Sequence, residues 1–458
     1  MTTIHVGDIT DSAETAVCSA VDTVLIAPDP VTVGRRGRVW KAPARSAIDT
    51  SVRPRGHALI GLSVAGALAL GGAAVARLDD GPTPSPVDGS LSRVIDQIGA
   101  RSAWAAGITG TGVRVAVIDT GTAPVGALSE QVVATVDLSS EQNDPSSAYR
   151  DTFGHGTHMG GIIAGHTPGV DPLEATGDDF VGVAPDAQLI SVKVAGRDGR
   201  VTRDSMIAGI DWVIEHADEL DTSVLALAFD APATGSYVDD PLAAALERAW
   251  NAGIVVVTSA GNDGSTSRGL SAPAYDPFVI AVAGVDGSGS AVTVPSWASR
   301  GDRSRTPDIA APGAHIESLR APGSNADSNH PEARVGDQLF LASGSSQATA
   351  VTAGAVALLL EARPELTPDQ VKQILIDSAS SVDGPVDRVG HGMLDIAAAL
   401  DIPATKLAQT WAPATAATPV DAHGIMSFRL FPASSSWSSS SWSSSSWSSS
   451  SWSSSSWS

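Results

Sequence analysis

Residues 113–124, VRVAVIDTGTAP, run as an apolar strand straight into a carboxylate and then a turn. Only Arg114 interrupts Val113, Val115, Ala116, Val117 and Ile118, so both faces of the strand are apolar. That is the pattern of a strand buried in a parallel sheet. The same texture returns at LISVKV (189–194), SVLALAF (223–229), GIVVVTS (253–259) and FVIAVAG (278–284). Between these runs, RDSMIAGIDWVIEHA (203–217) and DPLAAALERAWNAG (240–253) carry apolar residues at helical spacing. The alternation predicts an α/β domain over residues 93–402, with three layers: a mostly parallel central sheet and helices on both faces.

In such a sheet functional groups gather at the carboxyl ends of the strands, and Asp119 stands at one. A second segment, DTFGHGTHMGGIIAG (151–165), holds two histidines three residues apart. A helical zinc pair sits at i, i+4 with a glutamate between. Here Gly156 and Thr157 intervene and no carboxylate follows within a turn, so no metal ligands are assigned. Packing in the core would explain a histidine but not Gly154 and Gly156, which weaken a helix and open space beside His155. In ASGSSQATAVTAGAVALLL (342–360), small residues precede a long apolar helix. A serine at the tip of such a helix is an ordinary cap, but its outward N–H, with the helix dipole behind it, also suits an oxyanion. In TSAGNDG (258–264) a buried strand ends at Asn262, whose amide can donate a second hydrogen bond to a tetrahedral oxyanion. Each segment alone is ambiguous. Together they supply an acid, a base, a nucleophile and an oxyanion donor, in the chain order Asp, His, Ser.

At these residues the chain resembles the subtilisin-like serine proteases. AVIDTG, GHGTHMGGIIAG, GVAPDAQLISVKV, SAGND, DIAAPG, SGSSQATAVTAGAVALLL and GHGMLDIAAAL look like the family's successive signatures, in order, across about residues 93–400. The resemblance implies that Asp119 orients His155, that His155 is general base and then general acid, and that Ser346 is the nucleophile. It implies an oxyanion hole from Asn262 and the Ser346 N–H, with His158 structural beneath the catalytic histidine. The match is not complete. The nucleophile block is usually Gly-Thr-Ser-Met-Ala with a proline two residues on, and here Ser345, Gln347 and Ala350 depart from it. In LALAFD (225–230), where Ser-Leu-Gly is common, Ala228-Phe229-Asp230 alters a segment that pairs with substrate backbone. Phe229, Asp230 and Asp263 are therefore candidate substrate contacts, the two carboxylates favouring basic or small residues.

The rest of the chain bounds where such an enzyme works. A net charge of −22 and a pI near 4.6 argue against nucleic acid and anionic membranes as partners. Cys18 is the one cysteine, so neither an intrachain disulfide nor a cysteine zinc site can form. Residues 58–76, ALIGLSVAGALALGGAAVA, carry no charge, follow seven basic residues between 35 and 55, and end in Ala74-Val75-Ala76. They are read as an export signal, or as a membrane anchor if uncleaved, with all that follows outside the cytoplasm. Residues 1–57 exceed an ordinary signal n-region and are read as a cytoplasmic tail or a mis-started segment. Residues 77–92 are a Pro/Gly/Ser/Asp linker, shorter than the folding-assistant propeptide usual in the family. A Pro/Ala/Thr-rich linker (403–432) leads to a low-complexity tail (433–458) with Trp437, Trp442, Trp447, Trp452 and Trp457 every five residues. That period gathers the rings on one side of neither helix nor strand, so the tail is expected to be disordered, with cell-surface contact as its candidate use.

The resulting expectation is a secreted or cell-surface serine endopeptidase acting on polypeptides through an acyl-enzyme. No cofactor is required for catalysis; the acidic residues would allow structural calcium, though no ligand loop is identifiable. The alternative is a catalytically weak or inactive chain of the same fold, serving as a surface binding or structural protein. An esterase is disfavoured because no Gly-x-Ser-x-Gly elbow surrounds Ser346.

Overall fold

A computed structural model describes residues 91–415, apart from 178, 234 and 406–408, and the backbone of three short strands outside that range. These belong to one compact unit, 1–34 with 87–458; the second, 35–86, lies outside the described residues. The export segment 58–76, the residues before 91 other than Leu25–Ile26, and the Trp/Ser tail are likewise outside them. Among the described residues no helix is long and apolar enough to cross a membrane.

The central sheet has the order β1-β3-β4-β2-β6-β7-β8-β9. Its strands are β1 (Leu25–Ile26), β2 (Arg114–Asp119), β3 (Val132–Asp137), β4 (Gln188–Lys193), β6 (Thr222–Leu227), β7 (Val255–Ser259), β8 (Ile280–Val285) and β9 (Ile309–Pro312), with β5 (Arg200–Thr202) lying apart. β1 is antiparallel to β3, and the other seven are parallel. Every residue of β6, β7, β8 and β9 is buried, which is why these runs lack polar alternation. A smaller antiparallel sheet joins β10 (Ile316–Leu319), β11 (Arg334–Val335), β12 (Leu339–Ser343) and β14 (Phe431–Pro432), while β13 (Ile425–Ser427) pairs with β5.

The helices are α1 (Leu91–Gln97), α2 (Ala100–Ala105), α3 (His155–Ala164), α4 (Arg203–Glu215), α5 (Pro241–Asn251), α6 (Asn325–Asn329), α7 (Ser345–Ala362), α8 (Pro368–Ser378), α9 (Val386–Val389) and α10 (Ile396–Asp401). Their starts follow local chemistry. Thr202 caps α4 by accepting from Ser205 N–H, Asp240 caps α5 ahead of Pro241, and Thr367 with Gln370 forms a capping box on α8. Gly209 of α4 lies against Ile118 and Gly156 of α3 against Asp119. Successive residues of one strand point to opposite faces, so α3 and α4 cover opposite faces of β2. The helix α7 packs on β6, β7, β8 and β9 and is buried on all sides from Ser345 to Leu360. Thr349 and Thr352 are tolerated there because each hydroxyl donates back to a carbonyl one turn earlier, at 2.8 and 2.9 Å.

The helix α1 begins at Leu91, which is buried. Beyond residue 402 the chain stays pinned to the domain. Gln409 donates to Phe278 O at 2.9 Å, Ala414 N–H to Glu247 at 2.8 Å, and Thr415 N–H to Val238 O at 2.7 Å. Two of these three donors are main-chain N–H groups, which leave no pattern in side-chain composition.

Candidate active site

Asp119 is the last residue of β2, Ala228 follows β6 by one residue, and Asn262 follows β7 by three. His155 opens α3 and Ser346 is the second residue of α7, and these two helices pack against each other. The four sequence-predicted residues thus converge on the carboxyl end of the parallel strands.

The imidazole Nδ1 of His155 lies 2.8 Å from both Asp119 carboxylate oxygens, with His155 wholly buried and Asp119 1% exposed. That bond fixes which ring nitrogen carries hydrogen. Gly156 is required for the approach: a Cβ there would sit 2.1 Å from Gly121 O. The Ser346 hydroxyl donates to Ala228 O at 3.0 Å. Its own N–H is among the first of α7, which have no carbonyl one turn behind them.

Asn262 is held at both ends of its amide. Its Oδ1 accepts from Ser345 N–H at 2.8 Å and from the Ser345 hydroxyl at 3.0 Å, and its Nδ2 donates to Asp230 at 3.2 Å. Ser345, a mild replacement in the sequence, is therefore the group that aims the asparagine. Its hydroxyl also meets Ser259 Oγ at 2.6 Å.

The other predicted contacts separate. Asp230 is buried beside Asn262, whereas Asp263 is exposed and accepts from the Ser271 hydroxyl at 3.2 Å. The Phe229 ring is part of the main hydrophobic core. His158 is buried; neither ring nitrogen has a hydrogen-bond partner among the described residues, and burial, with His155 nearby, pushes its pKa down to about 3. Gln347, beside Ser346, is buried with neither amide atom bonded among the described residues. The helix α7 nevertheless continues unbroken through Gln347 and Ala350.

One residue escaped the sequence reading. Asp151 is buried, and its carboxylate accepts from Thr120 Oγ1 (2.8 Å), Phe153 N (3.2 Å), Gly154 N (2.6 Å), Thr157 N (2.8 Å) and Thr157 Oγ1 (2.7 Å). The two threonine hydroxyls accept in turn from Gly156 N–H and Ala123 N–H, at 2.9 Å each. Asp151 thereby ties the start of the His155 helix to the turn after Asp119. Burial pushes its pKa up against five donors that favour the anion. A second clamp lies alongside. The buried Lys193, Cα partner of Asp119, donates to Glu141 at 2.7 Å and to Arg150 O at 2.6 Å. Burial would raise Glu141, but Lys193, Thr152 and the Arg197 N–H together bring it below its ordinary value. Among the described residues no group of three or more His, Cys, Asp or Glu side chains converges as a metal site.

The profile of the subtilase family (peptidase S8) matches residues 110–392. The chain is 38% identical over 280 residues to serine protease AprX of Bacillus subtilis (strain 168), a match covering 58% of this chain and 61% of that protein. It is 33% identical over 300 residues to the thermostable alkaline protease of Halalkalibacterium halodurans, covering 66% and 71%. Subtilisin E of Bacillus subtilis (strain 168) is 32% identical over 307 residues, covering 67% and 70%. The chain therefore spans less than two thirds of the length of AprX.

Proposed function

The chain belongs to the subtilase family, and on that premise we propose that it is an exported serine endopeptidase working through Asp119, His155 and Ser346. The observation that carries this reading is the buried contact of His155 Nδ1 with both oxygens of Asp119, at 2.8 Å, on the helix that packs against α7.

In the proposed reaction the Ser346 hydroxyl leaves Ala228 O and turns to His155 Nε2. Its oxygen bonds to the carbonyl carbon of the peptide as its proton passes to Nε2, and Asp119 stabilises the imidazolium. The displaced electron pair settles on the carbonyl oxygen, which accepts from Ser346 N–H and from the second Asn262 Nδ2 hydrogen, the first being engaged by Asp230. The C–N bond then breaks, the Nε2 proton goes to the leaving amine, and water repeats the sequence on the acyl-enzyme. Removing the corresponding amide donor from subtilisin itself costs about 10²–10³ in turnover. Export rests on the uncharged run 58–76 and the basic residues before it; residues 91 onward would then act outside the cytoplasm on polypeptides.

The test is labelling of the full chain by a fluorophosphonate probe beside a Ser346→Ala control, with cell fractionation of the tagged protein. Labelling that vanishes in the control is expected. A folded chain that does not label would favour a binding or structural role instead, and retention in the cytosol would overturn export.

A further inference from the structure

Residues beyond the domain return to it at two places. The strand β13 (Ile425–Ser427) pairs antiparallel with β5, Ile425 opposite Thr202 and Ser427 opposite Arg200. The strand β14 (Phe431–Pro432) pairs antiparallel with the end of β12, Phe431 opposite Ser343 and Pro432 opposite Ala342. These two edges flank the candidate site. On one side, Gly199, just before β5, lies against the ring of Phe153, two residues from His155; a Cβ there would come within 2.8 Å of it. On the other side, Ser343 precedes Ser346 by three residues. Four Cα steps separate Ser427 from Phe431, and an extended chain covers at most about 13–14 Å in that count.

We infer that the two strands Ile425–Ser427 and Phe431–Pro432 are the resident occupants of the substrate path, holding the β5 and β12 edges in competition with peptides. This rests on the protease reading above. Strand addition to exposed sheet edges is a general mode of peptide recognition, in which main-chain hydrogen bonds supply affinity. Both edges here already carry a strand of the same chain, in the same antiparallel sense, entering beside the histidine and leaving beside the serine.

The test compares the full chain with its Met426→Pro variant, which loses a strand N–H and fixes φ without touching the domain. Thermal unfolding of the variant should match the parent. Fluorophosphonate labelling should then be at least tenfold faster in the variant, and KM for an added peptide at least tenfold lower with kcat unchanged. Equal labelling rates and equal KM in two active chains would overturn the inference. Hydrogen exchange on the same pair in a Ser346→Ala background reads the pairing regardless of chemistry. Slow exchange within Ile425–Ser427, lost on Met426→Pro, is expected, and fast exchange in both overturns the strap. A protected strap on chains that never label would count against the proposed catalysis, not against the pairing.

Discussion

Replacing Asp151 with alanine should loosen the catalytic pair without touching either member. The carboxylate holds the buried N–H groups of Gly154 and Thr157 and the hydroxyls of Thr120 and Thr157, at 2.6–2.8 Å. A buried donor left without a partner costs about 1–3 kcal/mol, a lost neutral hydrogen bond about 1, and relief of the buried charge returns part of this, so the net loss should be about 3–5 kcal/mol. The domain, 93–402, has 310 residues. At about 2 cal/mol/K per residue its unfolding entropy is about 0.65 kcal/mol/K, which converts that loss to a fall in Tm of about 5–8 °C. The N–H of Gly156, adjacent to His155, hangs on Thr120 Oγ1, so the imidazole should drift as well. Misplacing a catalytic group by an ångström costs about 10²-fold, and kcat/KM should fall by that order. Scanning calorimetry and peptide hydrolysis on the same preparation read both numbers. A Tm within about 2 °C of the parent together with unchanged hydrolysis would refute the role given to Asp151.

Three shorter expectations follow from neighbouring residues. His158, with an ordinary value of 6.5 lowered to about 3 by burial, stays neutral in the fold while the unfolded chain gains its proton below 6.5. Its contribution is therefore whole above pH 6.5 and is lost at about 1.4 kcal/mol per pH unit as pH falls towards 3. His158→Leu should move the acid-unfolding midpoint, followed by circular dichroism, to lower pH; an unmoved midpoint would sink the argument. Gly156→Ala should yield no active protein, because its Cβ would meet Gly121 O at 2.1 Å, whereas Gly126→Ala, with nothing within 4 Å, should retain full hydrolysis. Lys193→Met should leave Glu141 with only its Thr152 and Arg197 N–H donors and lower stability by about 1–3 kcal/mol in urea titration at pH 7. Because the folded Glu141 value lies below its ordinary 4.5, the clamp's contribution is present above that value and fades as pH falls through the folded one, so parent and variant should converge in acid.

How much of this was legible in the sequence depends on how each residue acts. The apolar strand runs at 114–119, 188–193, 222–227, 255–259 and 280–285 announced themselves because burial on both faces removes polar residues. The strand β3 did not, since its burial is mixed along VVATVD and no continuous run stands out. The glycines around His155 were readable as space, and the structure identifies Gly121 O as what fills it. Asp151 was missed because a carboxylate that serves backbone N–H groups leaves no periodicity; the available hint was an acidic residue a few positions ahead of a helix with no other cap. The Phe229 ring lies in the core, which the sequence does not announce because a lone aromatic says nothing of which face it takes. The pairing of β13 and β14 was invisible for the same reason as the pinned stretch at 409–415: main-chain bonding to a distant edge is indifferent to side-chain type.

The helix that carries Ser346 is sealed on every side as far as Leu360. A nucleophile at the tip of such a column has no private hinge; shifting it means repacking the strands beneath. Reactivity of that serine is therefore a gauge of the whole interior, and a titrant that counts live hydroxyls in a preparation also counts intact molecules. Drift in the two counts during storage or heating should coincide, and on the protease reading adaptation to new peptides has to proceed through the loops at the rim, where residues can change without disturbing the column.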